Sequence, residues 1–218
     1  IFYISSKLIC VKWRLLFFLM TVFSVTCFSQ DKRINTILST LKNSKADTGK
    51  VRKIASLFYL LTKGDVTPEI SDYASEALSI SEKSNYKWGI GISYYMISFC
   101  ERANEKYQQA LIDDSTAEKI LKETDDTKNV GRSMFLRGHI FADTGNYPEA
   151  MKFYNNALET WDKIGNNELS AMCNNDLGSI YSFTGDRNKA VEYIYKAMQI
   201  SRQSGDQKTL AKSLQYLG

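Results

Sequence analysis

From residue 51 onward, apolar side chains recur at three- and four-residue intervals, and the whole arrangement returns every forty residues. Met134 and Phe141 mark one helical face, and Ala150, Phe153, Tyr154, Ala157 and Leu158 mark the next. Sliding the sequence by forty stacks Ile70, Ala110, Ala150 and Ala190 in one column, and Ala77, Ala117, Ala157 and Ala197 in another. A third column reads Phe58, Ser98, Gly138, Gly178 and Gly218; a fourth reads Leu57, Ile97, Arg137, Leu177 and Leu217. Each unit therefore predicts two antiparallel helices, with the units 51–90, 91–130, 131–170 and 171–210 and the start of a fifth at 211–218. Small residues in fixed columns let neighbouring helices approach closely while larger side chains fill the grooves.

The turn inside a unit is marked by Thr144-Gly145-Asn146 and Thr184-Gly185-Asp186, where glycine supplies the left-handed conformation that ends a helix. Glu105 occupies that place in the second unit, so its turn must close without glycine. Pro68 and Pro148 share a column at the start of a second helix, where a missing N–H costs nothing. Junctions between units fall at Ser84-Asn85, Thr124-Asp125, Gly165-Asn166 and Gly205-Asp206, residue types that tolerate left-handed geometry. Ahead of the repeats, 30–50 reads as a capping helix and linker, with Ile34, Ile37, Leu38 and Leu41 on its apolar face. The chain starts without methionine and stops midway through a helix, so the expectation is a piece of a longer reading frame.

Residues 1–29 have the pattern of a signal peptide: Lys7, Lys12 and Arg14 precede the apolar stretch Leu15 to Phe28, which is short for a membrane span. Cleavage near Ser29 is expected; lipidation at Cys27 and a retained anchor stay open as alternatives. Formal charge is +4, but setting aside those three leader cations leaves 25 of the 28 basic side chains against 24 acidic ones. A nearly neutral surface disfavours nucleic acid as a partner. With Cys10 and Cys27 in the leader, Cys100 and Cys173 remain, two repeats apart and too distant to bridge, so both are read as small buried hydrophobes.

Catalytic and cofactor chemistry finds little support. His139 is the only histidine, no CxxC pair exists, and Gly49-Lys50 and Gly89-Ile90-Gly91 are fragments of phosphate-binding patterns without their context. Asp113-Asp114 and Asp125-Asp126 read as solvated helix and turn residues. The expectation is a chain that is no enzyme and takes no cofactor or metal.

The columns, with Leu177-Gly178, Tyr181, Gly185, Ala190, Tyr193 and Ala197 as the best copy, resemble the tetratricopeptide repeat over residues 51–218. The longer period and the Gly-Asp boundaries resemble the exported repeat region of bacterial sensor histidine kinases and related regulators. The resemblance implies an all-α, right-handed superhelical solenoid of antiparallel helix hairpins, preceded by the signal peptide, whose first helices line a concave groove for a protein or peptide. Carried onto this sequence, the groove-facing positions are Arg52, Tyr59, Tyr95, Phe99, Arg102, Arg132, Phe135, His139 and Asn175. Arginine and aromatic side chains are the types that concentrate binding energy at interfaces; the aromatic ones also suit packing between hairpins. Two functions are expected from this: an exported, periplasm-facing sensor or interaction region of a signal-transduction protein, attached to the membrane through a downstream segment, or a free-standing exported adaptor.

Overall fold

In the computed structural model the described residues are 34, 36–41, 43–61 and 68–217. The leader, with Cys10 and Cys27, lies outside them. The chain divides into two compact units, Ile1–Asp65 and Val66–Gly218, each of which is described by itself.

In the first unit a short helix, α1, covers 36–41, and α2 runs Thr48–Leu61. Leu41, Val51, Ile54, Leu57 and Phe58 are buried, following the helical spacing of the apolar positions. Asp47 starts α2 by accepting the amide of Lys50 at 3.0 Å, which satisfies one of the donors that a helix N-terminus leaves open.

The second unit is a run of antiparallel helices: α3 Pro68–Lys83, α4 Lys87–Ala103, α5 Tyr107–Lys122, α6 Thr127–Asp143, α7 Tyr147–Lys163, α8 Asn167–Phe183, α9 Arg187–Ser204 and α10 Gln207–Leu217. No strand occurs among the described residues, and no helix there is long and apolar enough to cross a membrane. The tightest pairings are α4 with α5, α6 with α7 and α8 with α9; each hairpin then packs on the next through α5 and α6, α7 and α8, and α9 and α10. This is the stacked-hairpin solenoid that the forty-residue columns predict. Pro68 opens α3 and Pro148 sits in the first turn of α7. Asp126, Asn146, Asn166 and Asp186 cap α6, α7, α8 and α9, each accepting the backbone amide three residues on.

Packing explains the columns. Ala77, Ala110, Ala117, Ala150, Ala157 and Ala197 are 0 % exposed, and Ala190 is 4 %. A Cβ on Gly138 would stand 2.5 Å from the Tyr154 ring, and one on Gly178 would stand 2.7 Å from Ile194; the glycine column is where the helices of a hairpin cross. Ser98 keeps the same place in the second hairpin by turning its hydroxyl onto the Ala110 carbonyl at 2.8 Å. Gly89 and Gly91, within α4, are likewise packing positions, against Ser81 and Leu121. Cys100 and Cys173 are free and buried, and the Cys173 thiol lies 3.1 Å from the Tyr154 carbonyl oxygen.

Every reversal from α3 onward carries one residue with positive φ: Asn85, Glu105, Asp125, Gly145, Gly165, Gly185 and Gly205. Glu105, at φ 61°, holds the left-handed conformation that glycine takes at Gly145 and Gly185. Such a conformation costs a side-chain-bearing residue about 1–2 kcal/mol, partly offset by the extra freedom glycine brings to the unfolded chain. Glu105→Gly is therefore expected to stabilise the second unit by about 0.5–1 kcal/mol, and Gly145→Ala to destabilise it by a similar amount. Urea midpoints followed by circular dichroism check both; a midpoint lowered by Glu105→Gly would sink the argument.

Candidate functional site

The first helices of successive hairpins, α4, α6 and α8, together with α10, present one face of the second unit, and polar side-chain pairs tie each to the next. Arg102 on α4 grips Asp143 on α6 with two bonds, Nε at 2.7 Å and Nη2 at 3.2 Å. His139 on α6 faces Asp176 on α8, with Nε2 3.5 Å from Oδ2. Asp176 in turn accepts from Lys212 Nζ on α10 at 2.9 Å. The separations of 41, 37 and 36 residues mean that each link joins one forty-residue unit to the next. These side chains keep partial exposure, 25 % for Arg102, 32 % for Asp143, 26 % for His139 and 45 % for Lys212, so the row is reachable by a partner.

His139 has a polar neighbour at each ring nitrogen. Its Nδ1 lies 2.8 Å from the Tyr154 hydroxyl, and the tautomer that satisfies both neighbours carries its proton on Nε2, toward Asp176. Burial pulls its pKa down to about 4 despite the upward pull of the Asp176 carboxylate, so at neutral pH the ring is an uncharged hydrogen-bonding group. Burial likewise drives the Tyr154 hydroxyl well above its ordinary value. A tyrosine so held is a poor nucleophile, and the Tyr154–His139–Asp176 chain is suited to positioning rather than to proton transfer. On Lys212 burial acts downward, but the Asp176 carboxylate outweighs it and raises the pKa.

Deeper between hairpins lies a second polar group that corrects the expectation for Asp114. That residue is 0 % exposed and receives bonds from Ser133 Oγ at 2.8 Å and Arg137 Nε at 3.0 Å. Arg137 also reaches Glu118 at 2.6 Å and lies over the Phe153 ring. Burial pushes the Asp114 carboxyl up to about 7, against the downward pull of Arg137 and Ser133. Asp114 is a packing residue with built-in partners because it projects from α5 toward α6 instead of toward water. Asp126, also expected to be solvated, caps α6 and accepts the Trp88 indole N–H at 2.7 Å. Among the described residues, no three His, Cys, Asp or Glu side chains gather as a metal ligand set requires.

Of the groove positions expected from the sequence, the second unit brings Phe99, Arg102, Arg132, Phe135 and His139 to its first helices as half-buried side chains. Arg132 binds the Asn129 side chain at 3.2 Å, one turn back on its own helix. Phe135 is folded into an aromatic cluster, its centroid 4.4 Å from His139 and 5.3 Å from both Tyr154 and Trp161. Tyr95, 8 % exposed, and Asn175, 0 % exposed, pack between hairpins, where they offer a partner little or no surface. Burial also pushes the Tyr95 hydroxyl up to about 12. Arg52, exposed, and Tyr59, half-buried with its ring edge-on to Phe58 at 5.7 Å, belong to the first unit. Asp143, Asp176 and Lys212 were missed. No single position marks them, but opposite charges about one period apart on equivalent helices are the signal that finds them.

Residues 129–203, the third and fourth hairpins in large part, match the tetratricopeptide repeat family. A curated relative, tetratricopeptide repeat protein 29 of Macaca fascicularis, is 29% identical over 126 residues, which is 56% of this chain and 26% of that protein. The chain thus spans about a quarter of the length of the relative it matches. Among solved structures, a signal transduction ATPase with numerous domains from Pyrococcus horikoshii, described as having a tetratricopeptide repeat sensor, superposes with a TM-score of 0.65. The match is 19% identical and covers 86% of this chain and 29% of that one. A Rap protein in complex with Competence and Sporulation Factor superposes with a TM-score of 0.57 at 15% identity, covering 87% of this chain and 58% of that one. At these identities the two structures share the fold.

Proposed function

We propose that this tetratricopeptide-repeat chain is a binding scaffold that holds a protein or peptide against the face formed by α4, α6, α8 and α10, and that it catalyses no reaction itself. The observation that carries this reading is the row Arg102–Asp143, His139–Asp176–Lys212. It is polar, partly exposed and continuous across successive hairpins, and a segment lying along the helices meets a charged or hydrogen-bonding group at each. The finer reading is that the scaffold is the exported sensor or interaction region of a bacterial signal-transduction protein, facing the periplasm. The leader pattern supports it, and so does the fold shared with a repeat region described as a sensor and with a Rap protein solved in a complex.

The test is selection of peptides from a displayed random library against the full chain, followed by titration calorimetry. Selected peptides are expected to lose at least about tenfold in affinity, roughly 1.4 kcal/mol, for Arg102→Ala, and to keep their affinity for Lys196→Ala on α9. Equal losses at both positions, or no selectable peptide, would overturn the assignment of this face.

A further inference from the structure

The joint between α8 and α10 is built unlike its predecessors. Where the third unit has Met134, Phe135 and Trp161, the same columns of the fourth read Asn174, Asn175 and Ser201. Asn175 is 0 % exposed, and its amide reaches the Thr209 carbonyl of α10 only at 3.4 Å. Its Oδ1 has no hydrogen-bond partner among the described residues. Asp176, next along α8, binds Lys212, which lies three residues after Thr209 and so on the same side of α10. Both side chains therefore aim into one joint, which α10 covers.

Charge bookkeeping makes the joint distinctive. The Asp176 side chain is only 11 % exposed and has two basic side chains beside it among the described residues, His139 and Lys212. His139 is neutral, so Lys212 is the resident cation. A buried carboxylate is strongly disfavoured without a counter-charge, and a buried carbonyl without a donor carries its full desolvation cost. With α10 moved aside, α8 presents a carboxylate and a carboxamide oxygen on successive residues, both acceptors.

We propose that the α8–α10 joint is a masked acceptor site for a cationic, donor-rich peptide segment, in which an arginine or lysine of the ligand replaces Lys212 at Asp176 and an N–H satisfies Asn175 Oδ1. This rests on the reading of the first-helix face as the binding surface, narrows that surface to α4, α6 and α8 with α10 displaced, and names the ligand chemistry of its α8 end. α10 acts as a competitor tethered to the same chain, so the apparent affinity is lowered by the fraction of time that it stays docked.

The experiment is fluorescence polarisation of the full chain with an acetylated alternating arginine–glycine peptide, and with its glutamate–glycine counterpart as control. Lys212→Met removes the resident cation and keeps its stem; it is expected to tighten arginine-peptide binding at least about tenfold. Asp176→Asn is expected to weaken binding at least about tenfold and to abolish the gain from Lys212→Met. Should Asp176→Asn lose helical content by circular dichroism, Asn175→Leu, which removes the carbonyl acceptor, carries the same expectation of weaker binding. Arginine-peptide binding indifferent to Asp176, or unchanged in Lys212→Met, overturns the proposal. So does binding of the glutamate peptide in its place. Library-selected peptides that depend on Arg102 but not on Asp176 would leave the scaffold reading standing and remove this site alone.

Discussion

Trp161→Ala is expected to cost about 3–5 kcal/mol, the range for truncating a fully buried tryptophan. The side chain is 0 % exposed. It lies over Gly131 of α6, where an added Cβ would collide with the indole, and against the Phe135 ring at 5.3 Å. Its Nε1 donates to the Lys128 carbonyl at 3.1 Å, in the first turn of α6, so truncation removes both packing and a side-chain bond to that turn. The core cluster it belongs to continues through Tyr154, Cys173 and Leu177, which leaves few side chains free to collapse into the space. Urea unfolding followed by far-ultraviolet circular dichroism checks the value. Trp161→Phe should retain most of the stability, and a Trp161→Ala cost below about 1 kcal/mol would mean that the third hairpin does not depend on this contact.

Removing the guanidinium at position 137 is expected to be comparably damaging, with a dependence on pH that identifies the cause. Asp114 is 0 % exposed, and Arg137, 13 % exposed, supplies its charged partner. Breaking such a pair from one side costs about 3–5 kcal/mol, because the remaining charge stays buried. Burial already holds the folded Asp114 pKa up to about 7, against about 3.9 in an unfolded chain. A raised carboxyl pKa contributes stability that is fully present below the unfolded value and is lost as pH rises through the folded one. Arg137→Met drives the folded pKa higher still. At about pH 4.5 Asp114 is protonated in both folded proteins and their difference is small; at about pH 8, one unit above the wild-type pKa, about 1.4 kcal/mol of the cost has appeared, and it grows with each further unit up to the variant's own higher pKa. Urea midpoints at the two pH values test this, and a pH-independent difference would assign the loss to packing over Phe153 instead.

The fold was legible because its packing rule is written in residue size. Only small side chains fit at Ala110, Ala117, Ala150 and Ala157, and the crossings of α4 with α5, α6 with α7 and α8 with α9 are held by a serine with a carbonyl to bind or by glycine, so these positions recur visibly. The turns were legible for a related reason: Glu105 stands in the glycine column and does adopt its conformation. The candidate site was harder to read, because a helical position tells which way a side chain leaves the helix but not what it meets. Phe135 and Asn175 occupy equivalent positions, yet one joins an aromatic cluster and the other lies under α10. Asp114 was misjudged by reading it singly. Its column otherwise holds Ala74, Tyr154 and Ile194, and that of Arg137 holds Leu57, Ile97, Leu177 and Leu217. Two opposite charges, each intruding on an apolar column of adjacent units, together announce a buried pair.

The two indoles of the repeats both end at the start of α6, Trp88 on the Asp126 carboxylate and Trp161 on the Lys128 carbonyl. They reach it from different hairpins, α4 on one side and α7 on the other. In a stacked array whose units contact only their neighbours, melting need not be all-or-none. Emission from Trp88 and Trp161, separated by single Trp→Phe replacements, therefore reports from opposite sides on one helix end, and the order in which the two signals redden tells from which direction the array comes apart.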